Sequence, residues 1–138
     1  MYERLLVAVD HSEVSPRVLA AAKDLASLSK GKVWVLHLRE REVIDRMGLV
    51  PSESDEEART AVKDAVDAMV QAGIEAQSDV RDTIFGHAAR EIIDDAKEHN
   101  ADLIIMGSRG RGDLAGLVLG STAHKVIHLT DRPVLVVR

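Results

Sequence analysis

Five of the chain's nine glycines fall in one stretch, MGSRGRGDLAGLVLGST, running from Met106 to Thr122. Glycine has no Cβ, so its backbone can approach a ligand closely, at an entropic cost in folding. The stretch ends in Gly120-Ser121-Thr122, where an apolar pattern at helical spacing begins. A helix N-terminus presents backbone N–H groups without intrahelical partners and a positive dipole end, and two hydroxyls add donors. The chemistry this arrangement offers is recognition of an anion, above all phosphate. Arg109 adds a guanidinium whose fork matches phosphate oxygens. Far away in sequence, the apolar run LLVAV leads into Asp10-His11-Ser12. A carboxylate at a strand end accepts hydrogen bonds from donor groups of a ligand.

Standard phosphate loops do not account for these residues. A P-loop requires Gly-Lys-Ser/Thr after a four-residue interval. Gly107 and Gly112 have the interval, but Asp113 stands where the lysine belongs. A dinucleotide fingerprint requires G-x-G-x-x-G directly after the first strand, and Asp10-His11-Ser12 contains no glycine. Gly110-x-Gly112 continues to Gly116 with one residue too many.

The elements that must position these residues are legible in the hydrophobic pattern. Leu5–Val9, Val33–Leu38, Leu103–Met106 and Val134–Val137 are short apolar runs without alternation, as expected for strands buried on both faces of a parallel sheet. Ile74–Val80 alternates and reads as an edge strand. Between the runs, Val18, Leu19, Ala22, Leu25 and Ala26 form one helix face, with Ser15 as the expected N-cap, Pro16 at the first helical position and Gly31 as the stop. Ser54 and Glu57 form a capping box for a second helix carrying Ala58, Ala61, Val62, Ala65 and Met69, which Gly73 ends. Ala89, Ile92, Ile93 and Ala96 mark a third helix; Ala123, Val126 and Ile127 mark a fourth, before Pro133. Alternating strands and helices predict an α/β domain with a mostly parallel sheet covered on both faces. The segment from Arg39 to Glu57, with its polar PSESDEE, reads as a long mobile connection.

Composition narrows the functions. With 138 residues the chain fits a single domain, 1–138. It has no cysteine, which excludes thiolate chemistry and cysteine-bound metals. The net charge of −5 and the absence of a basic stripe argue against nucleic acid as a partner. No apolar run is long enough to span a membrane, and the N-terminus has no signal-peptide layout, so a cytoplasmic location is expected. With one Phe, one Trp and one Tyr, any bound base must lie between aliphatic side chains.

The spacing Gly107-x2-Gly110-x9-Gly120-Ser121, together with Asp10, VLHL, ADLIIMGSRG and the closing GSTAHKVIHLTDRPVLVVR, resembles the signature of the ATP-binding universal stress proteins. The resemblance covers nearly the whole chain. It implies an open five-stranded parallel sheet of order 3-2-1-4-5 sandwiched by four helices, a Rossmann-like nucleotide-binding α/β fold. It also implies a homodimer formed through the last strand, Pro133 to Val137, and ATP as ligand, with Mg2+. By position, it assigns Asp10 to the adenosine, Leu38 to the adenine through its backbone, and Ala8, Val9 and Met106 to the flanks of the base. Gly107, Arg109 and Gly110 fall around the ribose and phosphates, and Gly120, Ser121 and Thr122 hold the phosphates. His11 stands where the family often has a small residue, and Arg111 and Asp113 are not required by the signature.

Blander roles compete at several positions. Asp10 is also a common turn-capping type, and Ser121 a common N-cap. Arg111 reads as a solvated surface charge. His124 and His128 have a zinc-compatible spacing without a third ligand, so they read as an exposed polar face, and no metal set is assigned. His37 and Trp34 read as packed strand residues. No nucleophile is paired with a base, and no catalytic residue is assigned. The expected function is a nucleotide-dependent stress-response signalling or protective module without fast catalysis. The alternatives are a slow ATPase or autophosphorylating protein, and a binder of another adenine nucleotide such as cyclic AMP.

Overall fold

A computed structural model describes residues 1–10, 12–44, 48–51, 53–84, 86–110 and 118–138. His11, Arg111, Gly112, Asp113 and Gly116, considered above, lie outside the described residues. The element order is β1 (Arg4–Val9), α1 (Ser15–Ser29), β2 (Lys32–Ile44), β3 (Gly48–Pro51), α2 (Asp55–Gln71), β4 (Ala76–Ile84), α3 (Ala88–Glu98), β5 (Leu103–Gly107), α4 (Ser121–Leu129) and β6 (Val134–Val137).

Five strands are parallel and run in the order β4-β2-β1-β5-β6. With the short β3 set aside, this is the order 3-2-1-4-5. The continuous apolar runs occupy the centre: Leu5, Leu6, Ile104 and Ile105 are wholly excluded from solvent, each burial stabilising the fold by about 1.5–3 kcal/mol. Alternate strand residues point to opposite faces and build two cores. Leu5, Val7, Val33, Val35 and Ile105 pack under Val18 and Ala22 of α1 and Val62 and Met69 of α2. Leu6, Leu36 and Ile104 pack under Ile92 and Ala96 of α3 and Ala123 and Val126 of α4.

Several local expectations are corrected. The helix α1 begins at Ser15 with Val14 as its N-cap, which frees the Ser15 hydroxyl to bond elsewhere. Left-handed Lys30, at φ 59°, ends it one residue before Gly31. The fourth strand is Ala76–Ile84, which among the described residues pairs with β2 alone, at the sheet edge. Ile74 precedes it and donates its N–H to Met69 O, closing off α2 after Gly73 turns at φ 80°. The Ser54 cap holds as read: its Oγ accepts from Glu57 N at 3.1 Å.

The Arg39–Glu57 segment is not a plain connection. Here β2 continues to Ile44 and pairs antiparallel with β3, Arg41 opposite Pro51. Arg41 also faces Ile84 of β4, so β3 occupies the other edge of β2, beyond the point where β1 stops at Val9–His37. Its charges are compensated across the sheet: Arg39 Nε and Arg41 Nη2 each donate to the Asp82 carboxylate at 2.6 Å. Below them His37 is buried and pairs through Nε2 with the buried Glu53.

Candidate functional site

The carboxyl ends of β1 and β5 and the Leu38–Glu40 stretch of β2 meet at one crevice. In open parallel sheets this is where ligands bind, because the chain connections on the two sides of the central strand wind oppositely. Here β1 is that central strand, between β2 and β5. Its last residues, Ala8 and Val9, form the floor, with Asp10 immediately beyond. Leu38 closes one side from β2 and Met106 the other from β5. Ala88 and Ile92 of α3 and Ala123 of α4 complete an aliphatic wall. The cavity proper is small, about 40 Å³, and opens into a wider mouth.

The polar groups sit at the rim. Asp10 is half-buried, and its main chain is fixed by the first residue of α1. Ser15 Oγ lies 2.7 Å from Asp10 O, to which it donates, and accepts from Asp10 N at 3.3 Å. The same hydroxyl lies 3.3 Å from Asp10 Oδ1 and 3.4 Å from Ser12 Oγ. Ser12 and Ser15 thus form a hydroxyl shelf beside the carboxylate, and both line the cleft. Among the described lining residues Arg109 is the one cation, and Asp10 and Glu40 are the two carboxylates.

Gly107 closes β5. A Cβ there would lie 3.1 Å from Val14 Cγ1 and 3.2 Å from Arg109 O, so a glycine permits the start of α1 and the following loop to close around the strand end. Ser108, buried, donates its N–H to Val137 O at 2.7 Å and accepts from Gly120 N. That bond ties the entrance of α4 to the end of β5. Gly120 is the N-cap of α4 and its oxygen accepts from His124 N at 3.0 Å. The next amides, of Ser121, Thr122 and Ala123, lie in the first turn and have no carbonyl within the helix to receive them.

Of the residues singled out in the sequence, Ala8, Val9, Asp10, Leu38, Met106, Gly107, Arg109, Gly110 and Thr122 all line this cleft. Gly120 and Ser121 do not. Gly120 is buried with its N–H committed to Ser108 O, and Ser121 is exposed. Only Thr122 of the three turns its face to the cavity.

Sequence reasoning missed Ser12, Ser15, Val18, Glu40, Ala88, Ile92 and Ala123 as lining residues. Glu40 had a signal: it continues the alternation Leu36-Leu38-Glu40 on one face of β2.

The sequence model of the Universal stress protein family matches residues 1–138. The chain belongs to the universal stress protein family. Universal stress protein YxiE of Bacillus subtilis (strain 168) is 35% identical over 153 aligned positions, covering 100% of both chains. A universal stress protein of Thermus aquaticus is 34% identical over 140 positions, again covering 100% of both. Among solved structures, a universal stress protein from Archaeoglobus fulgidus in complex with dAMP superposes with a TM-score of 0.72 at 26% identity, covering 99% of this chain and 98% of that one. This universal stress protein therefore shares the Rossmann-like α/β fold of its relatives, and its crevice lies at the fold's ligand-binding position.

Proposed function

We propose that this universal stress protein binds an adenine nucleotide in the cleft at the ends of β1 and β5, beside the Leu38–Glu40 stretch of β2, with ATP and Mg2+ as its ligand, and acts as a nucleotide-dependent stress-response module. The observation that carries this reading is the convergence of Asp10, Arg109, Gly110 and Thr122 on one aliphatic cleft. The base lies between Ala8, Val9, Leu38 and Met106, Asp10 receives the ribose hydroxyls, and Arg109 with the first turn of α4 receives the phosphates. The dAMP bound by the Archaeoglobus fulgidus relative supports an adenine nucleotide as the ligand class. Rapid hydrolysis is no part of the proposal, since phosphoryl transfer depends on several positioned cations.

Residues 1–138 act as one domain, and two copies join through β6 as a homodimer. The position of β6 beside β5 at the edge of the described sheet and the exposure of Leu135 support that edge as the interface. No described helix is long and apolar enough to cross a membrane, in keeping with a cytoplasmic site of action.

Calorimetry tests the nucleotide reading. Mg-ATP binds the purified chain with one site per protomer, and Asp10→Asn and Thr122→Val each weaken it. Absence of heat and of co-purified nucleotide refutes the proposal.

A further inference from the structure

On the face of the sheet covered by α3, at the end of that helix away from the cleft, three ligand-type side chains meet. Asp79 lies on β4, aligned with Leu36 of β2. Asp95 and His99 are one helical turn apart on α3 and its C-cap, the i, i+4 spacing that puts two ligands on one helix face. His99 Nε2 lies 3.0 Å from Asp79 Oδ2 and 3.7 Å from Asp95 Oδ1. One ligand atom from each residue falls within 4.8 Å of the others. Such separations suit donors about 2.0–2.2 Å from a shared Zn2+.

The independent sign is Asp95 Oδ2: the side chain is wholly buried and its Oδ1 is ion-paired with Arg81, yet Oδ2 meets no partner among the described residues. Buried carboxylates are ordinarily hydrogen-bonded, ion-paired or bound to a metal. Arg81 Nη2 approaches Asp95 Oδ1 at 3.0 Å, but this guanidinium also serves Glu91 at 3.2 Å and pairs with Glu98. Three carboxylates, of Glu91, Asp95 and Glu98, thus share the one guanidinium of Arg81, and Asp79 pairs with His99. The carbonyl end of α3 adds partial negative charge at the same point.

The His99 ring is held in place to serve as a ligand. Trp34 stacks on it, with centroids 5.1 Å apart and planes 22° apart, and the Arg4 guanidinium lies over the Trp34 ring, 5.2 Å from its centroid.

We propose that Asp79, Asp95 and His99 form a binding site for a divalent first-row cation of the Zn2+ type, clipping β4 to the C-terminal end of α3. One imidazole nitrogen and two carboxylates are the donor set that Zn2+ accepts. The site is separate from the nucleotide cleft and does not depend on its occupancy.

The test uses the full chain, stripped of metal with a chelator and free of nucleotide, titrated with Zn2+ by calorimetry. The expected result is one Zn2+ per chain in wild type. Asp79→Asn and His99→Gln, both at partly exposed positions, weaken it about 100-fold or more, whereas the double variant His124→Gln/His128→Gln leaves it unchanged. Circular dichroism checks each variant's fold. Should a variant fail to fold, the His99 ring signals of the wild type decide the matter by NMR, since Zn2+ must shift them. No Zn2+ binding, binding that survives His99→Gln, binding that the His124/His128 variant abolishes, or unmoved His99 signals would each overturn the proposal.

Discussion

Ser15 Oγ bridges both backbone polar groups of Asp10, donating to its carbonyl at 2.7 Å and accepting from its N–H at 3.3 Å. The contact joins the first turn of α1 to the end of β1 across five positions. It fixes the residue that the proposed function assigns to the ribose. A serine that would otherwise cap its own helix is used instead to aim a carboxylate.

Ser15→Ala removes that brace while leaving the carboxylate in place. One neutral hydrogen bond contributes about 1 kcal/mol net, so nucleotide affinity falls about 5-fold, with a similar loss of stability. Calorimetry beside thermal unfolding of the same variant separates the two effects.

Arg109→Ala should discriminate among ligands. A hydrogen bond to a charged group is worth about 1.5–3 kcal/mol, so ATP binding weakens by about 10-fold or more, while adenosine, lacking phosphate, binds as before. Equal weakening of both ligands would place Arg109 at the base or ribose.

Acid stability depends on Asp82. Its hydrogen bond from Arg39, reinforced by Arg41, lowers the carboxyl from 3.8 to about 2. The folded pKa lies below the unfolded one, so this group stabilises the fold above about pH 4 and loses that contribution as pH falls toward 2. The side chain is 36% exposed, so the contribution is modest and screened by salt. The difference between wild-type and Asp82→Asn unfolding midpoints should therefore shrink between pH 4 and 2 and shrink again at high salt.

Ile104→Ala tests the central strand. The residue is fully buried between β1 and β6, under α3 and α4. Truncation there costs about 2–5 kcal/mol, read as a lower midpoint in denaturant with an unchanged slope.

The parts of the fold easiest to read in the sequence were those governed by burial on both faces. LLVAV, VWVLHL, LIIM and VLVV are strands because a central parallel strand has no polar face to display, and the helices between them carried their own stripes and caps. Edges were harder. In β4 the residues Gln77, Ser78, Asp79 and Asp82 face water or ion pairs, so alternation was diluted and the strand was placed too early. The extension of β2 through Arg39 and Arg41 was hidden by charge, because the Asp82 carboxylate that neutralises them lies 43 and 41 residues away.

In the cleft, glycine spacing located the loop, but Gly107 has a second reason to be glycine in the approach of Val14. Gly120 and Ser121 follow from the family signature and from their place at a helix start; of the three residues there, Thr122 lines the cavity. Glu40 and Ser15 escaped notice because each belongs to an element whose true boundary differs from the one the sequence implies.

The assignment of this crevice to an adenine nucleotide is tested most directly by backbone amide NMR during titration with Mg-ATP. The account predicts saturable shifts at Asp10, Gly107, Gly110 and Thr122, with small changes on the exposed faces of α1 and α2. Shifts confined to those outer faces, or none at saturating nucleotide, would contradict it.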